Sequence, residues 1–146
     1  MTHLFSKTLY LFASAVFIGH VVLTLLWKLR ADSSLDVAVI RQAQRQFSGA
    51  EFIAVLGSLI VLFAASVSLN TGVDSFVHYT GLLVIAGILW LVLLTPLQVR
   101  QVNRVLGTKD TNTLPQHYWR DSIIWIIGTL VVIGLSSFDT LKVLWR

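Results

Sequence analysis

The first apolar stretch of the chain, from Thr8 to Arg30, constrains the fold more than any other feature. It reads TLYLFASAVFIGHVVLTLLWKLR, and His20 is the one ionisable residue before the terminal WKLR. A bilayer core about 30 Å thick is crossed by roughly 20 apolar residues in a helix, whose backbone bonds to itself. The stretch therefore predicts a membrane-spanning helix. A cleaved signal peptide is disfavoured, because the run is too long and leads into bulky, basic residues.

The composition extends this interpretation to the whole chain. Of its 146 residues, 55% are hydrophobic and only 12% are charged, whereas soluble domains carry about 25% charged residues. The apolar stretches predict a single membrane domain over residues 1–146, with spans at about 8–28, 52–69, 78–98 and 121–139. The chain has no cysteine, which excludes disulfides, iron–sulfur clusters and thiolate zinc sites.

The segment between the first two spans, Ala31–Ser48, has a different pattern. Its apolar residues recur every four positions, at Leu35, Val39, Ala43 and Phe47. This spacing predicts an amphipathic helix at the cytoplasmic interface, or an extension of the second span. Good N-cap residues precede it, namely Asp32, Ser33 and Ser34.

The distribution of cations predicts the orientation. Eight of them flank the loops after spans one and three: Lys28, Arg30, Arg41, Arg45, Arg100, Arg104, Lys109 and Arg120. The opposite side has three: Lys7, Lys142 and Arg146. The positive-inside rule then places both loops in the cytoplasm and both termini outside. The predicted fold is an all-α, antiparallel transmembrane four-helix bundle, N-out and C-out. The net charge of +4 reflects this orientation, and nucleic-acid binding is not expected.

Small and aromatic residues are expected to pack the helices. The second span carries a stripe of small residues at Ala54, Ser58, Val61, Ala65 and Ser68, and the third has Gly81, Ala86 and Gly87. Trp27, Trp90 and Trp119 are predicted to contribute to packing, and Pro96 to bend the third helix.

Acidic residues lie near the predicted span ends. Glu51 and Asp121 begin helices, where a negative charge is favoured. They are expected to pair with Arg45, Arg100 or Lys28. Asp139 falls at the predicted end of the fourth span, where it starts a polar tail.

His20 is the strongest candidate for chemistry, because ionisable residues inside a span are costly and usually face the bundle interior. Thr24 and Lys28 follow at spacings of four, so the three predict a polar strip along one face. The imidazole would act as a haem or metal ligand, a proton relay or a quinone donor. The alternative is a neutral histidine that is hydrogen-bonded within the bundle.

A b-type haem needs two ligands at matching depth on facing helices. His20 lies roughly 18 Å from the outer mouth of the first helix, which matches His117 at the inner end of the fourth helix poorly. His3 and His78 both lie near the outer surface and match better. The candidate cofactor-binding residues are therefore His20, His3 and His78, for haem or quinone.

Several stretches resemble a known family. GHVVLTLLWKLRAD, VAVIRQAQRQ and ILWLVLLTPLQVRQ are similar to segments of a family of small bacterial four-helix membrane proteins, known as domain of unknown function twenty-two sixty-nine. Members often have a histidine in the first half of helix one, where this chain has Tyr10, and His20 replaces a small polar residue. The resemblance implies a fold and a compartment, the bacterial inner membrane, but no activity.

Three functional hypotheses follow. The first is a non-catalytic inner-membrane protein, accessory or small-molecule binding, that packs with itself or a larger membrane complex. The second is a membrane redox protein that binds b-type haem or quinone through histidines. The third is a small proton-coupled transporter that uses His20.

Overall fold

The structure, a computed structural model, describes residues 2–46, 49–69, 82–110 and 112–145, and all regular structure in these ranges is helical. The helices are α1 (Thr2–Ser33), α2 (Val37–Gln46), α3 (Gly49–Leu69), α4 (Leu82–Gly107) and α5 (Tyr118–Trp145). The prediction of an all-α fold is confirmed. Residues 70–81, which include His78, lie outside the described residues.

Three helices, α1, α4 and α5, are long and apolar enough to cross a membrane, and α3 contributes a shorter apolar stretch, Val55–Ala65. The 32 residues of α1 correspond to about 48 Å at 1.5 Å per residue, which exceeds the hydrocarbon thickness. The helix therefore continues beyond the predicted span at both ends. The polar tail expected from Asp139 onward was wrong, because α5 runs unbroken to Trp145.

The first helix packs against α2, α3 and α5. One face of α1 is buried at intervals of three and four residues, including Tyr10, Phe17, Val21 and Leu25. The opposite face presents large apolar side chains outward, and Phe12 is 68% exposed. An apolar interior and an apolar exterior on one helix are the pattern of a span that packs on one side and meets lipid on the other.

Aromatic rings join α1, α4 and α5 in the core. Phe17 meets Trp90 edge to face with centroids 6.5 Å apart, and Trp90 meets Trp125 at 6.0 Å. Trp90 and Trp125 are both buried, whereas Trp27 is 50% exposed and Trp119 44%. Trp90 and Trp125 therefore pack the core of this chain, and packing by Trp27 and Trp119 against a second copy or a partner complex stays a prediction.

A π-helical turn interrupts α4 from Trp90 to Leu94, just before Pro96. Proline has no N–H to donate and its ring crowds the carbonyl four residues earlier, so widening the helix by one residue relieves the clash. Both the N–H and the hydroxyl of Thr95 then bond to the Trp90 carbonyl. Pro96 thus changes the helix through a π turn.

The segment between α1 and α3 forms α2 as a separate helix. Asp36 caps it, because its carboxylate accepts the N–H of Ala38 at 2.9 Å, and the chain reverses through Leu35 at φ 54°. The predicted caps at 32–34 were wrong. Leu35 and Val39, from the predicted apolar face, are exposed, whereas Ile40 and Gln44 are buried against the protein.

Candidate functional site

A buried ion pair lies where the C-terminal half of α1 meets the start of α5. Lys28 Nζ lies 3.3 Å from Asp32 Oδ2, one helical turn away. The Tyr118 hydroxyl donates to Asp32 Oδ1 at 2.5 Å and accepts from Lys28 Nζ at 3.4 Å. All three residues are at most 7% exposed. We call this group the Lys28 cluster.

Aromatic faces complete the surroundings of the ammonium group. Lys28 Nζ lies 5.1 Å from the centroid of the Tyr118 ring and 5.8 Å from that of Trp125. Ring faces attract a cation most strongly when it is desolvated. A buried charge pair is stable only when further groups satisfy it, and here the phenol and the two rings supply those contacts.

Polar contacts from α2 and α4 surround the Lys28 cluster. Gln101 donates from Nε2 to Ser122 Oγ at 2.8 Å and to the Tyr118 carbonyl at 3.2 Å. Arg41 on α2 donates to the carbonyls of Thr108 and Asp110. Four helices therefore meet at this end of the molecule, and α2 is held there by hydrogen bonds as well as by the apolar contacts of Ile40.

Asp121 begins α5 as predicted, but with other partners. Its carboxylate lies 3.5 Å from Arg104 Nη1 and 3.2 Å from Arg120 Nη2. The expected pairing of Asp121 with Arg100 or Lys28 was wrong, because Lys28 is already taken by Asp32. Both arginines are partly exposed, so these pairs contribute about 0–1 kcal/mol each to stability. The side chain of Glu51 lies outside the described set.

The predicted polar strip on α1 is buried in part. Thr24 and Lys28 are buried, whereas His20 is only half-buried. The Thr24 hydroxyl donates to the backbone carbonyl of His20 at 2.9 Å, and the His20 imidazole makes no hydrogen bond to the described residues. His20 thus lies at the edge of the buried face of α1.

The described part of the structure does not place the other candidate ligands beside His20. His117 is exposed and precedes α5 at φ 68°. The side chain of His3 and all of His78 lie outside what the structure describes. No group of three metal-ligating side chains occurs within the described ranges. Haem or quinone binding through His20, His3 or His78 stays a prediction.

A second polar group is buried towards the other end of the α1–α5 interface. It comprises Tyr10, Ser14, Ser136 and Asp139, each at most 1% exposed. Asp139 accepts the N–H of Leu83 at 2.8 Å and lies 3.9 Å from Lys142 Nζ. We call this group the Asp139 cluster.

An apolar groove lies between α3 and α4, with a volume of about 140 Å³. Its walls are Leu59, Leu62 and Phe63 on α3 and Leu83, Gly87 and Leu91 on α4, among others. A Cβ added to Gly87 would lie 2.8 Å from Leu59 Cδ2. Gly87 therefore permits the close approach of the two helices, in keeping with the small-residue packing predicted for it.

Comparisons of the chain with family models, curated proteins and solved structures found no match. The resemblance drawn from the sequence segments stays a prediction, and the geometry of the two clusters and the groove carries the functional argument.

Sequence reasoning missed the Lys28 cluster although one signal was present. Lys28 and Asp32 stand four residues apart in WKLRAD, a spacing that brings opposite charges together on a helix. Nothing local marks Tyr118, which lies 90 residues beyond Lys28 in sequence. Asp139 was read as part of a tail because the apolar run ends beside it.

Proposed function

We propose that this chain is a non-catalytic, multi-pass protein of the bacterial inner membrane that binds the apolar chain of a lipid-like small molecule. The proposed architecture is an antiparallel four-helix bundle with α3 as the remaining span. The eight cations of loops one and three favour a cytoplasmic location for these loops, so both termini face outward. The Lys28 cluster then lies at the cytoplasmic end and fixes the helices there.

The groove between α3 and α4 is the observation on which the binding role rests. Its walls are leucine, isoleucine, valine and phenylalanine side chains with one glycine. An apolar cavity of about 150 Å³ stays dry and holds a benzene-sized guest, so this groove is large enough for a segment of an acyl chain. A polar substrate would find almost no hydrogen-bonding partner along these walls.

The groove also opens towards the expected lipid. Phe63 and Ile88 line it and are each 54% exposed, on faces that meet hydrocarbon in the proposed architecture. A lipid-like molecule would therefore enter sideways from the bilayer without crossing a polar surface. This favours an amphipathic guest over a water-soluble one.

The depth of the groove depends on Gly87. A side chain at this position would displace Leu59, whose Cδ2 would lie only 2.8 Å from the added Cβ, closer than van der Waals contact. We expect Gly87→Leu to fill the groove and Leu59→Ala to enlarge it. A fatty acid with a photoreactive diazirine in its chain, added to the protein in lipid nanodiscs, should label α3 and α4 at the groove. Labelling should fall several-fold in Gly87→Leu and rise in Leu59→Ala.

Gly19→Leu is the matched control, because a Cβ at Gly19 meets nothing within 4 Å. It adds the same side chain to an outward face of α1 and should leave the groove labelling unchanged. Peptide mapping that found label spread evenly over all exposed apolar faces, with no response to Gly87→Leu, would overturn the binding role.

A further inference from the structure

Three hydroxyl oxygens of the Asp139 cluster are unsatisfied within the part of the chain that the structure describes. Tyr10 Oη, Ser14 Oγ and Ser136 Oγ are buried and have no hydrogen-bond partner among the described residues. Ser14 follows Tyr10 by one turn of α1, and Ser136 precedes Asp139 by one turn of α5, so each pair shares a helix face. The two helices pack against each other, and across that contact Tyr10 lies within electrostatic reach of Asp139.

Tyr10 links the two halves of the cluster. Its hydroxyl lies close enough to Ser14 Oγ for a weak interaction and within electrostatic reach of the Asp139 carboxylate, but with neither does it make a hydrogen bond of ordinary geometry. A buried polar group without a partner costs about 1–3 kcal/mol, and more in hydrocarbon. Unsatisfied hydroxyls at an interface that also buries a carboxylate call for a small guest that both donates and accepts hydrogen bonds.

We propose that the Asp139 cluster is a hydrated proton site, in which internal water bridges the three hydroxyls to the carboxylate and Asp139 takes up a proton from that water. Buried waters typically make about three hydrogen bonds to groups that are otherwise unsatisfied, and the cluster offers three hydroxyls in addition to the carboxylate. Only O–H bonds change in the transfer, since water passes a proton to a carboxylate oxygen and regains one from the aqueous phase.

The charged and titratable groups around Asp139 fit this assignment better than a metal ion. Lys142 faces it from α5 at 3.9 Å, Tyr10 faces it from α1, and the described part of α4 contributes the backbone N–H of Leu83. Lys142 already neutralises the carboxylate, so an added metal cation would be repelled. Lys142 is 35% exposed and is free to turn outward when Asp139 gains a proton.

Whether water occupies the cluster can be tested by the direction in which substitutions of its hydroxyl residues change stability. If water bridges the hydroxyls, Ser136→Ala and Tyr10→Phe each remove a hydrogen bond and should lower the midpoint of unfolding in a denaturant titration. If the cluster is dry, the same changes remove an unsatisfied group and should raise the midpoint. Ser137→Ala, one residue along on a half-buried position, should leave it unchanged. A raised or unaltered midpoint in both variants would refute hydration.

The proton has a separate readout. Infrared difference spectra of the protein in nanodiscs, recorded between high and low pH, should contain a protonated-carboxyl band that Asp139→Asn abolishes and Tyr10→Phe shifts. Asp32→Asn should leave that band in place. A spectrum unaffected by Asp139→Asn, or a band that responds to added sodium at constant pH, would overturn the assignment. Failure here would leave the groove labelling intact, so the two proposals fail separately.

Discussion

Replacing Lys28 by methionine should lower the free energy of unfolding by about 3–5 kcal/mol, the cost of leaving one member of a buried ion pair without its partner. Methionine retains the length of the aliphatic chain, so the loss reports the charge and not the packing. Asp32 would then face only the Tyr118 hydroxyl, with a side chain that is 9% exposed. Unfolding in mixed micelles, followed by the change in tryptophan fluorescence, would measure the effect.

The double replacement Lys28→Met with Asp32→Leu is the informative control. Removing both charges restores an apolar interior, and such replacements of buried ion pairs are often neutral or stabilising. The double variant should therefore recover most of the stability that either single variant loses. If the two single losses simply add, the pair does not interact as the geometry requires.

Trp125→Ala should lower the free energy of unfolding by about 3 kcal/mol, the lower end of the range for a buried tryptophan. The lower end applies because, in lipid, transfer out of water contributes little and the loss is mainly one of packing. Trp125 is fully buried, packs against Trp90 with the two rings tilted by 60°, and offers its ring face to Lys28. The same unfolding assay applies.

Trp145→Ala makes the matched comparison on the same helix. Trp145 is 85% exposed, and surface changes of this kind stay within about 0.5 kcal/mol. An equal loss in the two variants would contradict the placement of Trp125 in the core, whereas a large difference between them supports it.

Much of the fold could be predicted because it depends on local patterns. The apolar runs that became α1, α4 and α5 are long enough to identify by counting, and Pro96 marked the disturbance in α4. Small residues such as Ala86 and Gly87 were expected at helix contacts and are buried there. These features follow from solvent, length and side-chain size, which the sequence carries directly.

The candidate sites were harder to predict because they depend on contacts between distant segments. Lys28 was expected to lead to the cytoplasmic surface, and it turns inward because Asp32 and Tyr118 offer better partners than water. His20 was the strongest candidate, yet it lies at the edge of the buried face. Asp139 is buried because Tyr10 and Leu83 approach it from other helices, which no local pattern reveals.

The central claim is that hydrocarbon surrounds the outer faces of the helices. Cysteine labelling tests this claim most directly. The chain has no native cysteine, so each introduced thiol reports alone. Phe12→Cys and Val92→Cys lie at positions that are each 68% exposed in the protein. In membranes these two thiols should not react with a water-soluble maleimide. A nitroxide spin label attached to them in detergent, before reconstitution, should collide more often with dissolved oxygen than with a water-soluble nickel complex.

Ser33→Cys and Thr113→Cys, at exposed positions near the helix ends, should react with the maleimide from the cytoplasmic side, and Trp145→Cys from the outside. Rapid labelling of Phe12→Cys and Val92→Cys, equal to that of Thr113→Cys, would contradict the membrane assignment. The predicted result is that Phe12→Cys and Val92→Cys stay unlabelled. Ser33→Cys and Thr113→Cys should be labelled from the cytoplasmic side, and Trp145→Cys from the outside.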